Sequence, residues 1–326
     1  VIFIYFKGSK MLPFFFNITA LIYKSMKTTY IFVVLLIISS CSGGSSNIIE
    51  EDNSGIPGDE LNSINETCTN TSRNGVDKCD LTHDDRNRFY YLYVSDNLDT
   101  NQSIPVLFAF HGYGSSALRH LGYTNYMPIA DENNFIVVYP QGETTSTLSA
   151  HWNVGGWTSK STVKDLEFVE TVIDLLKDKL PIDESRIYSS GMSNGGYMGY
   201  HLACNLSDKF AAIASVTGSM TISTYDNCSP SHPTPILQIH GLLDFVVPYN
   251  GNSGSKSISD VMSYWSNYSS CNSEPDTLIK YDNYALIRYE TYVNCLNDVN
   301  IKLILHPTMD HTCLLYTSPS PRDTNP

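Results

Sequence analysis

The sequence predicts an α/β fold, with a mostly parallel central sheet and helices on both faces, and three observations carry the prediction. Pro105 to Phe110 (P-V-L-F-A-F) and Phe135 to Tyr139 (F-I-V-V-Y) are continuous apolar runs of strand length, the pattern of strands buried on both faces of a parallel sheet. Val163 to Leu180 has apolar residues at Val163, Leu166, Val169, Val172, Ile173 and Leu176, the spacing of a core-facing helix, with Thr162 placed to cap it. Arg186 to Ala203 reads as strand, glycine-dense turn and helix in succession. Alternating strands and helices imply right-handed crossovers and ligand sites beyond the carboxyl ends of the strands.

In chain order, Cys68 to Cys79 is polar and turn-rich and reads as a small stapled loop, followed by a strand over Arg88 to Val94. After Pro105 to Phe110, a helix is expected over Tyr126 to Glu132 before the Phe135 to Tyr139 strand. A long polar loop then holds His151-Trp152-Asn153-Val154-Gly155-Gly156-Trp157. Beyond the elbow, strands are expected over Phe210 to Val216, Pro235 to Ile239 and Ile301 to Leu305. A helix over Ser257 to Tyr268 and a two-stranded excursion over Leu278 to Val293 separate the last two.

With 326 residues, 42% of them hydrophobic, the chain can bury the core of one α/β domain, or at most two. Its formal charge of −13 argues against a nucleic-acid partner. Residues 1–25 read as open frame upstream of a gene, and 26–41 as an export signal. Lys27 supplies the positive start, Tyr30 to Ile38 the short apolar stretch, and Ile38-Ser39-Ser40-Cys41 resembles a bacterial lipobox with Cys41 as the lipidated residue. Other readings are an ordinary signal peptide or, from Met11, a membrane anchor. Residues 42–67 are expected to be a flexible tether and 68–312 the folded domain. Residues 313–326 are expected to be foreign: Cys313 to Asp323 (C-L-L-Y-T-S-P-S-P-R-D) resembles a reading frame of a common transposase-type sequencing adapter.

Setting Cys41 and Cys313 aside leaves Cys68, Cys79, Cys204, Cys228, Cys271 and Cys295. An even number in an exported chain suggests disulfides; six cysteines allow fifteen connectivities, and pairing between sequence neighbours is the one adopted. No C-x-x-C or H-x-x-x-H pattern points to a metal, and no cofactor is expected.

Gly191-Met192-Ser193-Asn194-Gly195 fits the nucleophile elbow G-x-S-x-G, in which a sharp turn lifts a serine Oγ above the sheet. A serine hydroxyl is a poor nucleophile at neutral pH, so it needs a base and a third group that fixes the base's tautomer. Ser193, Asp244 and His311 come in the chain order Ser, Asp, His, each just after an expected strand. His306 is the rival base, while His201 sits in the elbow helix and His83 and His232 precede their strands. Two backbone amides must meet the oxyanion: that of Asn194, after the nucleophile, and that of Tyr113, in the loop opened by His111-Gly112. Trp152 and Trp157 are read either as a platform for an aromatic or sugar-bearing substrate or as core. Asp165 is read as a favourable charge at a helix N-terminus.

From about Asn87 to Thr312 the chain resembles the esterase family of poly(3-hydroxybutyrate) depolymerases, close to feruloyl and acetylxylan esterases of the α/β-hydrolase group. Its pattern A-x-x-x-x-F-x-V-x-Y-P-x-G matches Ala130 to Gly142, W-N matches Trp152-Asn153, and D-x-x-F matches Asp165 to Phe168. I-D-x-x-R-I-Y-x-x-G-M-S-N-G-G matches Ile182 to Gly196, F-A-A-I-A matches Phe210 to Ala214, and I-H-G-x-x-D-x-x-V-P-Y matches Ile239 to Tyr249. The resemblance implies an α/β-hydrolase fold, a Ser193–His311–Asp244 triad, and pairing of Cys204 with Cys228 and Cys271 with Cys295. Around its histidine the family reads G-H-x-W-P, whereas here Met309-Asp310-His311-Thr312 runs into Cys313. The function implied is an exported ester hydrolase on polyester or polysaccharide-linked esters, touching the membrane only through its lipid. A peptidase of the same fold and a non-catalytic surface lipoprotein are the alternatives.

Overall fold

The computed structural model of the protein describes residues 2–4, 12–14, 65–144, 148–282 and 285–312. The expectations for the leader, Cys41, most of the tether and the stretch from Cys313 onward lie outside the described residues. Eleven strands make one sheet: β1 (Glu66–Asn70), β2 (Val76–His83), β3 (Arg86–Tyr93), β4 (Ile104–Phe110), β5 (Ile136–Pro140), β6 (Ile182–Met192), β7 (Ala212–Val216), β8 (Ile236–Gly241), β9 (Asp276–Asp282), β10 (Ala285–Tyr292) and β11 (Ile301–His306). Their order across the sheet is β9-β10-β11-β8-β7-β6-β4-β5-β3-β2-β1. The six central strands, β5, β4, β6, β7, β8 and β11, are parallel. Both flanks are antiparallel, so the sheet is mixed at its ends. Between β2 and β3, Asp84 and Asp85 both take positive φ, the two-residue turn that keeps hairpin strands in register.

Alternate residues of β4 show the layering. Val106, Phe108 and Phe110 pack with Phe168 and Val169 of α3 (Asp165–Lys179) and Met198 of α4 (Asn194–Asn205). Leu107 and Ala109 pack with Ala117 and Leu121 of α1 (Ala117–Thr124) and Ala130 of α2 (Met127–Asn133). A short α5 (Ile222–Asp226) follows β7, and α6 (Ile258–Tyr268) packs Val261, Met262 and Trp265 beside α4's Tyr200, on the α3 face. Helices therefore cover both faces, as expected for strands that are apolar on both sides. Among the described residues no helix is long and apolar enough to cross a membrane.

Two local expectations are corrected, and one helix is added. Residues 68–79 are not a loop but the β1–β2 hairpin, with Cys68 directly opposite Cys79 and bonded to it; their polar composition reflects a largely exposed β1, not a lack of strand structure. Helix α1 went unpredicted although Ser116 caps it, accepting the Arg119 amide at 3.3 Å. Helix α3 starts from Lys164 without a side-chain cap, and Thr162 lies outside it. The other pairs join Cys204 to Cys228 and Cys271 to Cys295.

Candidate active site

Strand β6 runs into α4 through a turn whose apex is Ser193, held at φ 55° and ψ −121°. A non-glycine residue with positive φ is strained, and such strain persists where the surrounding structure over-determines it. Here the Ser193 amide donates to Val216 O at 2.8 Å and the Tyr197 amide to Ser193 O at 3.0 Å. The flanking glycines supply space: a Cβ on Gly191 would lie 2.2 Å from Gly195 O, and one on Gly195 would lie 2.1 Å from Phe110 O.

Asp244 and His311 arrive on two loops stitched together. The Leu242 amide donates to His306 O at 3.0 Å and the Leu243 amide to Met309 O at 3.1 Å, across the end of the β8–β11 pair. Gly241 allows this approach, since a Cβ there would meet Met309 O at 2.0 Å. Asp244 Oδ1 accepts the amides of Val246 (3.0 Å) and Val247 (2.8 Å), which leaves Oδ2 to accept His311 Nδ1–H at 2.8 Å. His311 Nε2 then lies 2.8 Å from Ser193 Oγ. The structure thus brings together all three residues that chain order had grouped. His306 is buried, and its Nδ1 accepts the Thr308 amide at 3.3 Å.

Burial on its own would raise the Asp244 carboxyl, but the hydrogen bonds from His311 and the Val247 amide outweigh it and hold the group below the usual carboxylate range. His240 lies beside it, with Nε2–H donating to Val247 O at 2.8 Å and Nδ1 accepting from Gln238 at 3.1 Å; burial lowers its pKa. His111 is likewise neutral: burial lowers it to about 4, its Nε2 accepts the Gly142 amide at 3.0 Å, and its Nδ1–H donates to Gly112 O at 2.8 Å. Burial lowers His120 to about 3. Such histidines bind protons in the unfolded chain from about pH 6.5 downward but in the folded chain only near these lower values. Stability is therefore complete above about pH 6.5 and lost as pH falls through that window, and Asp244 adds loss in the same direction. The expected result is a thermal midpoint, followed by circular dichroism, that drops steadily from pH 7 to pH 4; a rise would contradict neutral burial.

Asn194 opens α4, where the first-turn amides have no helical acceptor. Its side chain accepts the Trp152 amide at 2.7 Å and donates to Trp152 O at 3.2 Å. Of the two readings of Trp152 the platform is corrected and the core one holds: its ring is fully buried, stands edge-on to Phe110 at 5.1 Å, and donates Nε1–H to His111 O at 2.9 Å. An indole whose N–H has a main-chain acceptor is well suited to a core, and the loop's polar composition hid this. Trp157 is 43% exposed, with its ring 6.2 Å from that of Tyr113. The Gly112–Tyr113 backbone passes beside Ser193, a Cβ on Gly112 falling 3.4 Å from Ser193 Cβ. A cavity of about 740 Å³ opens here, lined by Tyr113, Arg119, Tyr123, Met192, Ser193 and His311 among others. The α1 wall of that cavity was missed with its helix. Among the described residues the grouping of metal-ligand types is Glu66 with Cys68 and Cys79, whose sulfurs are tied in a disulfide.

Asp165 does more than meet a helix dipole. It is buried, accepts from Arg88 Nη2 at 2.8 Å and from the Asn153 amide at 2.7 Å, and so pins the Trp152 loop to the core. Arg88 is equally buried, its guanidinium 3.8 Å above the Phe168 ring. Removing one partner of a buried pair strands the other charge, so Asp165→Ala is expected to cost about 3–5 kcal/mol in urea unfolding. The double variant Asp165→Ala/Arg88→Met is expected to cost less than the single one.

Comparison with known proteins fits this geometry. The prolyl oligopeptidase family model matches residues 122–231. The chain is 30% identical over 199 residues to the bifunctional acetylxylan esterase/xylanase XynS20E of Neocallimastix patriciarum, covering 60% of this chain and 26% of that one. It is 27% identical to feruloyl esterase B of Piromyces equi, over 62% of this chain and 38% of the other. The chain therefore spans well under half the length of these relatives. Among solved structures, an acetyl xylan esterase from Aspergillus awamori superposes with a TM-score of 0.52 at 16% identity, covering 72% of this chain and 91% of that one. The chain has the α/β-hydrolase fold, and feruloyl and acetylxylan esterases are among the proteins it is similar to.

Proposed function

We propose that the protein is a serine carboxylic ester hydrolase that works through an acyl-enzyme on Ser193. The observation that carries this is the unbroken relay from Ser193 Oγ to His311 Nε2 and from His311 Nδ1 to Asp244 Oδ2, 2.8 Å at each step, on a strained elbow that faces a cavity. His311 takes the hydroxyl proton as Oγ attacks the ester carbonyl, then gives it to the departing alcohol. Water repeats the sequence on the acyl-enzyme, releasing the acid and restoring Ser193. Asp244 keeps His311 in the tautomer with Nδ1–H and stabilises the imidazolium that forms.

The amides of Asn194 and Tyr113 form the oxyanion hole. For Tyr113 the support lies in His111. Gly112 O is held by His111 Nδ1–H at 2.8 Å and by the Ser115 amide at 3.1 Å, and in a planar trans peptide the next N–H points the opposite way. His111 is thus a positioning residue for the hole.

The relatives' names favour acyl esters on plant polysaccharide over hydroxyalkanoate polyester. The catalytic domain starts with β1 at Glu66, two residues before the expected boundary at 68, and runs to 312, exported and held by lipid on Cys41; three disulfides fit an oxidising compartment. A second reading, a peptidase, draws on the prolyl oligopeptidase match. The test is a panel of p-nitrophenyl acetate and butyrate, methyl ferulate, a hydroxybutyrate trimer and a peptide p-nitroanilide. Ester turnover with a pre-steady-state burst is expected; anilide cleavage with no ester turnover would establish the peptidase instead.

A further inference from the structure

Six arginines fall among the described residues, and their partners divide them. Arg86, Arg88, Arg186 and Arg288 each have a carboxylate within 4.0 Å. Arg73 and Arg119 have none among the described residues, although the chain holds 33 acidic residues against 20 basic ones. Arg119 lines the cavity beside Ser193, and Arg73 stands behind its Gly122 wall. Arg119 projects from α1 and is the one lining side chain of fixed charge among the described residues. Arg73 comes from the β1–β2 turn and backs the same wall, its Nη1 and Nη2 each 3.8 Å from where a Cβ on Gly122 would stand. Gly122 itself lines the cavity, and no described lining residue is a carboxylate.

In an acidic protein, a lining guanidinium without a counter-charge, with a second behind the same helix wall, leaves a local positive field. Both arginines are exposed, so this field acts at the cavity mouth and is weakened by salt. A guanidinium presents a planar fork that matches a carboxylate, and a charge-assisted pair of this kind is stronger than a neutral hydrogen bond. Building on the hydrolase function proposed for Ser193, we propose that Arg119, supported by Arg73, makes this cavity a carboxylate subsite. The preferred ester then carries a carboxylate of its own, either at the far end of the acyl chain or on the alcohol, as in a uronate.

Two matched substrate pairs distinguish the sources: mono-p-nitrophenyl adipate against p-nitrophenyl hexanoate, and an acetylated methyl glucuronide against the acetylated methyl glucoside. At low salt kcat/KM is expected to favour the anionic member of one pair about tenfold, the size of one charge-assisted contact. Added salt shrinks the preference, because screening weakens an exposed ion contact. Arg119→Gln, and more so Arg119→Gln/Arg73→Gln, lowers kcat/KM for the anionic ester more than for its neutral partner. Equal turnover within both pairs, or a preference that survives the double variant, would overturn the subsite. A binding arm needs no turnover: calorimetry of adipate against adipamide on Ser193→Ala protein. Adipate binding that is lost with Arg119→Gln supports the subsite even if no ester is hydrolysed, and no difference between the two ligands refutes it.

Discussion

Ser193→Ala is expected to lower kcat for p-nitrophenyl butyrate by about 10⁵- to 10⁶-fold, the scale seen when the nucleophile of such a relay is removed. The fold should survive, since alanine occupies the same elbow and the contacts that impose its backbone are main-chain: the Ser193 amide to Val216 O and the Tyr197 amide to Ser193 O. An unchanged circular dichroism spectrum, together with lost turnover and lost burst, is the expected pair of results. Residual activity within tenfold of the parent would move the nucleophile elsewhere.

Asp244→Asn is expected to lower kcat by about 10⁴-fold while the side chain stays in place. The reason is geometric. The Val246 and Val247 amides demand an oxygen at Oδ1, so the asparagine amide nitrogen must face His311. That nitrogen donates, which forces Nδ1 to accept and puts the ring proton on Nε2, facing Ser193 Oγ, where the base is required. A loss of less than tenfold would mean that Asp244 does not set the tautomer.

Much of the site was legible in the sequence because topology wrote it there. The apolar runs at β4, β5 and β8 and the glycines around Ser193 mark strand ends on one edge of the sheet, and chain order then picks out Asp244 and His311. Even the choice of His311 over His306 follows from the fold, since His306 completes β11 while the loop beyond it folds back over Gly241. What escaped depends on three-dimensional packing. Periodicity does not tell whether a tryptophan in a polar loop packs against Phe110 or against a substrate, so the sequence leaves both readings of Trp152 open, and the structure shows the core one. The partnership of Asp165 with Arg88 joins residues 77 positions apart, and the anchoring role of Asp165 was read as a local helix effect. The β1–β2 hairpin hid because an exposed strand has no apolar alternation to betray it. The cavity wall at Arg119 went with α1, a helix of 8 residues, too short for a periodic signal.

The central claim is that Ser193 is a nucleophile activated by His311, and covalent labelling tests it most directly. The folded protein is treated with a fluorophosphonate and the modified peptide is located by mass spectrometry. One adduct, on the peptide containing Ser193, is expected; it should be absent in Ser193→Ala and slowed at least a hundredfold in His311→Ala. Labelling that persists in Ser193→Ala, or proceeds at the parent rate without His311, would contradict the account.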